Sequence, residues 1–415
     1  MRNIRTPRGF EFIDAATRFA SVDANFASKL GKAGEMLDEA LFERASDVHI
    51  EPTAEDCRVR FRLEGLLQER NRYAKADGDL VLGALKAIAK LDTEEVCKPQ
   101  EGRFQMRSGD RVVDLRLATA SSFHGEKMVI RLVDHSLSGF TMSMLGLDVK
   151  STEVLSEALQ SRDGAILVTG PSGSGRTSTL YAALRTIDSK RLNVMTIEDP
   201  PEYELAGTTQ LSVNPKAGIT YENGLQSLMR QDPDVIMVGE MRDAETMKIA
   251  FSAVIAGHLL LSSFNALGAL STITQLREMG IENYQIASAV RIILCQRLVR
   301  VLCPHCRHPF PANGGELLSL GMELEAGSIL HAATGCERCQ DTGYSGREGL
   351  FEMLVIDEAL RRAITDGADE GALAAIAVNN GFHSYHYTGA QKVLAGITTV
   401  EELLKTEQVQ ASSNQ

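Results

Sequence analysis

The chain has 415 residues, 44% hydrophobic and 24% charged, which supports large globular cores and more than one domain. A net charge of −12 and a pI of about 5.4 exclude a generally basic nucleic-acid binder. No run approaches the roughly 20 apolar residues of a membrane span, so the sequence reads as a cytoplasmic protein that meets a membrane only through partners.

Residues 1–30 have no strong period and read as an amino-terminal arm, with a short helix as the alternative. Arg2, Arg5 and Arg8 have no apolar run behind them, unlike a secretory signal. Met36, Leu37, Ala40 and Leu41 then mark one face of a helix. Strands are expected at 47–51 and 57–63. In the second, Val59, Phe61 and Leu63 line one face, and Arg58, Arg60 and Arg62 the other. A helix over 79–90 and strands over 111–119 and 127–134 complete an α+β domain at 31–137, with arginines projecting from its sheet. Residues 138–150 read as a linker.

Residues 151–300 alternate short apolar strands with helices, the strands at 165–169, 193–197, 235–238 and 259–263. That alternation predicts an α/β domain with a parallel sheet buried on both faces. A cysteine-bearing module at 301–345 follows. A carboxy-terminal helical region at 346–415 is expected to hold helices near 357–365, 370–378 and 389–405, with 408–415 frayed.

The segment Gly170-Pro171-Ser172-Gly173-Ser174-Gly175-Arg176-Thr177-Ser178 has the spacing of the phosphate loop G-x-x-x-x-G-K-[ST], with arginine at the lysine position. An apolar strand precedes it and a helical run follows. In that context the loop's N–H groups and the positive helix end cradle a nucleotide's phosphates, and Thr177 is placed to ligate Mg²⁺. Glu240, just past the strand 235–238, is suited to polarise an attacking water, with Asp234 the weaker candidate. Glu198, Asp199 and Glu202 end a second strand, where carboxylates suit Mg²⁺ and water positioning; solvated turn residues are the alternative.

Cys303-Pro-His-Cys306 and Cys336-Glu-Arg-Cys339 form two C-x-x-C knuckles, the donor set of a tetrahedral Zn²⁺ site. A redox C-x-x-C lacks its βαβ context here. Cys57, Cys97 and Cys295 stand alone and read as small apolar fillers. His305 and His308 read as exposed residues rather than ligands.

Taken together, these residues resemble the secretion motor ATPases of type II secretion and type IV pilus assembly, over about 44–405. The resemblance is carried by Ala45-Ser-Asp-Val-His-Ile-Glu-Pro52, Arg60-Phe-Arg62, Gly102-Arg103-Phe104 and Asp114-Leu-Arg116. Beyond the phosphate loop it continues in Thr196-Ile-Glu-Asp199, Arg230-Gln-Asp-Pro-Asp234, Val238-Gly-Glu-Met-Arg-Asp243 and Gly257-His258. It implies a RecA-like engine that binds ATP and Mg²⁺ and assembles as a homo-hexamer. It also implies an inner-membrane platform protein as partner, pilin or pseudopilin polymerisation as the output, and no direct nucleic-acid contact. Glu240 falls at the catalytic glutamate, and Glu198 and Glu202 in the aspartate box. His258 matches the first histidine of the histidine box. Arg103 and Arg116 match arginines that reach the phosphates from an adjoining domain. The tetracysteine segment matches the zinc module of assembly motors rather than retraction motors. Asp47, His49 and Glu51 alternate as metal ligands would, but the family carries that pattern with no metal implied; His383 and His386 read as equally ordinary residues.

Two departures stand out. Arg176 replaces a compact ammonium by a wider, planar guanidinium, and Asn265 stands where the family has a second histidine. Both favour, as an alternative, a ring subunit that binds nucleotide with little hydrolysis. A motor for DNA uptake or conjugation is disfavoured by the acidic balance and by 5% aromatic residues with no tryptophan. The stretch before residue 30 leaves no room for the extra docking domain of many such motors.

Overall fold

The computed structural model describes residues 4–5, 11–13, 24–108, 111–134, 139–161, 163–321 and 327–412. Arg2, Arg8 and the last three residues lie outside them. The chain divides into two compact units, Met1–Gly139 and Phe140–Gln415.

The first unit contains β1 (Ile4–Arg5), β2 (Glu11–Ile13), α1 (Ala24–Phe42), β3 (Asp47–Pro52), β4 (Asp56–Leu63), β5 (Leu66–Ala74), α2 (Lys75–Ile88), β6 (Gln100–Ser108), β7 (Arg111–Ser122) and β8 (Gly125–Asp134). They form one sheet in the order β1-β2-β6-β7-β8-β3-β4-β5. The alternation in β4 places Val59, Phe61 and Leu63 in a core with Ile50, Leu115 and Ile130, closed by Met36 and Leu37 of α1 and Leu85 of α2. On the other face, register sets Arg103 opposite Arg116, Arg116 opposite Arg131, and Asp47 between Arg131 and Arg62. The residues expected to form an arm or a short helix supply two short strands and the start of α1; the strands are anchored by Phe12, which is fully buried and packs on Phe104.

The second unit runs α3 (Val149–Leu159), β9 (Gly164–Thr169), α4 (Arg176–Leu184), β10 (Val194–Glu198), β11 (Thr209–Ser212), α5 (Tyr221–Leu228), β12 (Val235–Val238), α6 (Ala244–Ile255), β13 (Leu259–Phe264), α7 (Ala269–Glu278), α8 (Asn283–Ala289) and β14 (Val290–Leu302). It continues with β15 (His308–Pro311), α9 (Gly314–Ser319), β16 (Ile329–Ala332), β17 (Tyr344–Val355), α10 (Glu358–Thr365), α11 (Glu370–Asn379), α12 (Tyr385–Leu394) and α13 (Val400–Ser412). The main sheet has the order β11-β10-β12-β13-β9-β14-β17, parallel except for the β14–β17 pair. Every residue of β9, β10, β12 and β13 is buried, with separate apolar cores on the two faces. This is the parallel α/β sheet that the apolar runs predict.

Two elements of the region expected to be helical differ. Its first residues form β17, which pairs with β14 along most of its length. The helix expected over 389–405 is two helices. Gly396, at φ +67°, ends α12, and buried Thr398 turns its hydroxyl to the Arg300 carbonyl, 2.8 Å away. At the end expected to fray, α13 continues to Ser412.

Candidate functional site: a phosphate cleft and a tetracysteine cluster

The cleft lies at the carboxy-terminal ends of β9, β10, β12 and β13, where ligands bind in open parallel sheets. Thr169 ends β9, residues 170–175 turn, and α4 starts at Arg176. Gly170 and Gly175 have φ of +143° and +89°, values at which a side chain is strained. A Cβ on Gly170 would stand 2.4 Å from the Gln296 carbonyl oxygen, and one on Gly175 would stand 2.8 Å from Gln296 Nε2. Gly170 and Gly175 are therefore required because β14 packs directly against them, whereas Gly173 is set by its φ of +79° alone.

Arg176, Thr177, Glu198, Asp199, Glu202, Tyr221, Glu240 and Arg242 line one cleft of about 130 Å³. Arg176 Nη2 lies 3.6 Å from Glu240 Oε1. Glu240 Oε2 accepts a 2.6 Å bond from Arg242 Nε, and Arg242 reaches Asp199 at 3.9 Å. Burial lowers the Arg176 pKa from its ordinary value while the Glu240 carboxylate raises it. Arg176 Nη1 is buried without a hydrogen-bond partner, a donor left over for an anion. Glu198 is different. It is 3% exposed and already bonded to the Tyr181 hydroxyl, Thr196 Oγ1 and Gln210 Nε2. Those partners fix it in the wall of the cleft.

The remaining sequence candidates are scattered. Pro171 is half-buried, Ser172 and Ser178 are exposed, and Ser174 is buried. Asn265 is exposed just past the end of β13, on the cleft edge. His258 precedes β13, whose first residue Leu259 pairs with Gly164 and whose last, Phe264, pairs with Thr169. A strand length of roughly 16 Å, at about 3.3 Å per residue, therefore separates His258 from the loop. His258 is not brought to the cleft, because an extended strand lies between it and Asn265. Arg103 and Arg116 are cross-strand neighbours in the first unit. Gln296, Tyr181, Gln210 and Arg242 were not singled out from the sequence. Only Arg242, two residues after Glu240, carried a local signal.

In the same sheet face as Arg116, Glu51 bonds Arg58, Arg60 and Lys127. Burial raises its pKa, but hydrogen bonds from Arg60 and Lys127 prevail and hold it at about 2. Asp47 pairs with Arg62 and Arg131. Of the three isolated cysteines, Cys57 and Cys295 are buried fillers; Cys97 is exposed and fills nothing.

The four knuckle cysteines converge. Their sulfurs all lie within 4.8 Å of one another, with Cys303–Cys336, Cys306–Cys339 and Cys336–Cys339 at 3.9, 3.8 and 3.7 Å. A tetrahedron of Zn–S bonds of about 2.3 Å has edges of about 3.8 Å, so the donor set and spacing fit a zinc-type ion. Burial raises the Cys339 pKa, yet N–H groups of Cys336 and Gly343, each 3.2 Å from its sulfur, bring it down to about 7.

Sheet, loop and helix together define a RecA-like P-loop protein. The model of the Type II/IV secretion system protein family matches residues 23–405, and the chain belongs to that family. It is 43% identical over 370 residues to the type II secretion system protein E of Aeromonas hydrophila, covering 89% of this chain and 74% of that one. It is 40% identical over 385 residues to the type IV pilus assembly ATPase PilB of Thermus thermophilus, covering 92% of this chain and 43% of that one. Among solved structures, the Legionella pneumophila ATPase DotB aligns over 91% of this chain and 94% of its own, with a TM-score of 0.66 at 19% identity; this shows a shared fold. Among the described residues, no helix is long and apolar enough to cross a membrane.

Proposed function

We propose that this protein is a motor ATPase that powers pilus assembly or type II secretion as a homo-hexamer. It would act on an inner-membrane platform protein from the cytoplasmic side. The observation that carries the reading is the cleft itself: a glycine loop, a buried unpartnered Arg176 Nη1 and a cluster of carboxylates on one sheet edge. Loop N–H groups from Gly170 to Gly175 would bind the phosphates of ATP, and Arg176 would place its free donor on them. Thr177, with Asp199 or Glu202, offers the oxygen donors that suit Mg²⁺. Mg²⁺, when bound, supplies positive charge to the phosphate oxygens. Glu240 would orient and polarise the attacking water once Arg176 turns to the phosphates. Glu198 would hold the wall through Tyr181. Arg103 and Arg116 would add charge from the first unit by closure or from a neighbouring subunit, where it acts on the charge that develops during phosphoryl transfer. His258 lies too far along β13 for such a contact within its own domain. The tetracysteine cluster would hold one Zn²⁺ as a structural staple.

A second reading is a ring subunit that binds ATP with little hydrolysis. The Arg176–Glu240 contact favours it, since the same guanidinium holds the carboxylate that would polarise water. ATP turnover and ATP binding measured on wild type beside Arg176→Lys test both readings. A motor turns over ATP, and Arg176→Lys keeps or raises the rate. Wild-type protein that binds no ATP would sink both.

A further inference from the structure

We infer that Gln296 is a positioning residue of the phosphate loop, fixing the direction of its amides and thereby setting affinity for a phosphate chain. The inference rests on the nucleotide-binding reading above. Gln296 is 2% exposed and lies on β14, far from the loop in sequence. Its carboxamide is used at both ends. Nε2 donates to the Ser174 carbonyl at 2.7 Å, and Oε1 accepts from Thr179 Oγ1 at 2.6 Å.

The consequence follows from peptide geometry. In a trans peptide the C=O and N–H point in opposite directions. Holding the Ser174 carbonyl against β14 therefore turns the Gly175 N–H to the loop's other side, away from β14. Thr179 lies in the first turn of α4, so one side chain ties the loop to the helix whose amino terminus faces the phosphates. The close approach of Gln296 to both Gly170 and Gly175 leaves little room for the loop to shift. The strand itself is anchored, since Cys295 pairs with Thr169, the last residue before the loop. The next residue, Arg297, donates to the Leu267 carbonyl in the turn after β13, so successive side chains of β14 hold the phosphate loop and the turn that follows β13. An apolar side chain of the same length would fill the space. Among side chains of this length and shape, a carboxamide donates to one of these elements and accepts from the other without a change of protonation state.

The full-length protein decides this by binding of Mg²⁺-ADP and of inorganic tripolyphosphate competing with labelled ADP, with Tm measured alongside. Gln296→Met keeps the length and loses both bonds. It is expected to weaken both ligands about tenfold, the effect of one lost buried hydrogen bond to a positioned group. Gln296→Glu, which keeps the acceptor for Thr179 but turns an oxygen toward the Ser174 carbonyl, is expected to be at least as weak. Thr179→Val is expected to weaken both ligands a few-fold. A purely structural role lowers Tm and leaves both affinities unchanged well below it; that result overturns the inference. If Gln296→Met does not fold, an unchanged tripolyphosphate affinity in Thr179→Val overturns it as well. Wild-type protein that binds neither ligand sinks the nucleotide reading and this inference with it.

Discussion

The phosphate cleft and the tetracysteine module are held by opposite means within one unit. The cleft rests on strands buried on both faces, and its functional groups sit at strand ends or are fixed by buried partners such as Tyr181 and Gln296. The module has a two-stranded sheet and shares a small apolar cluster, Leu320 and Leu330 with Val299 and Leu350; beside these its four sulfurs converge on one point. A core positions a site and is lost with it. A metal cluster positions a segment and can be lost alone.

That contrast is broken most forcefully at the sulfurs. Cys306→Ser should release about one metal ion per chain and remove hydrogen-exchange protection from residues 303–344, while ADP binding stays near wild type. Global unfolding on metal loss, or wild-type protein folded with no metal, would contradict the separation. The converse variant is Leu167→Ala, at a fully buried position of β9. It should cost about 2–5 kcal/mol in denaturant unfolding and weaken nucleotide binding, while metal content is retained.

Smaller effects sharpen the picture. Tyr181→Phe removes one donor from buried Glu198 and an acceptor from the Glu202 N–H. A loss of about 1–3 kcal/mol is expected by calorimetry, with turnover falling more than ATP affinity. In the first unit, ion pairs join the buried carboxylates of Asp47 and Glu51 to the arginines of the sheet face opposite the core. Glu51 has a folded pKa of about 2, below its unfolded value. Its contribution is therefore present above about pH 4.5 and lost as pH falls toward 2. Glu51→Gln should flatten the acid limb of the stability profile in that window; an unaltered limb would show that the arginines merely cover a neutral face.

Much of this was legible in the sequence, for physical reasons that also mark where legibility stops. The phosphate loop demands glycine where backbone approaches backbone, and metal knuckles demand paired thiols, so both leave local signatures. Strand alternation in β4 fixed its arginine face. In contrast, β14 is a 13-residue, mostly apolar run that also carries Arg291, Gln296, Arg297 and Arg300. Periodicity does not distinguish such a run from a buried helix, and Gln296 acquires meaning only through pairing with β9. His258 shows the same limit: a motif gives spacing along the chain, whereas a strand converts that spacing into distance. The break between α12 and α13 carries a local signature that a continuous-helix reading passes over: Gly396 at positive φ stops α12, and Thr399 accepts from the Glu402 N–H at the start of α13.

Whether the cleft turns over ATP separates a motor from a binding subunit. The most direct measurement is steady-state phosphate release by full-length wild-type protein beside Glu240→Gln, with Mg²⁺-ATP binding measured on both. Glu240→Gln is expected to lower turnover at least about a hundredfold, as loss of a positioned general base does, with ATP still bound. Equal phosphate release from the two proteins would show that the cleft binds nucleotide without using Glu240, and the motor reading would be wrong.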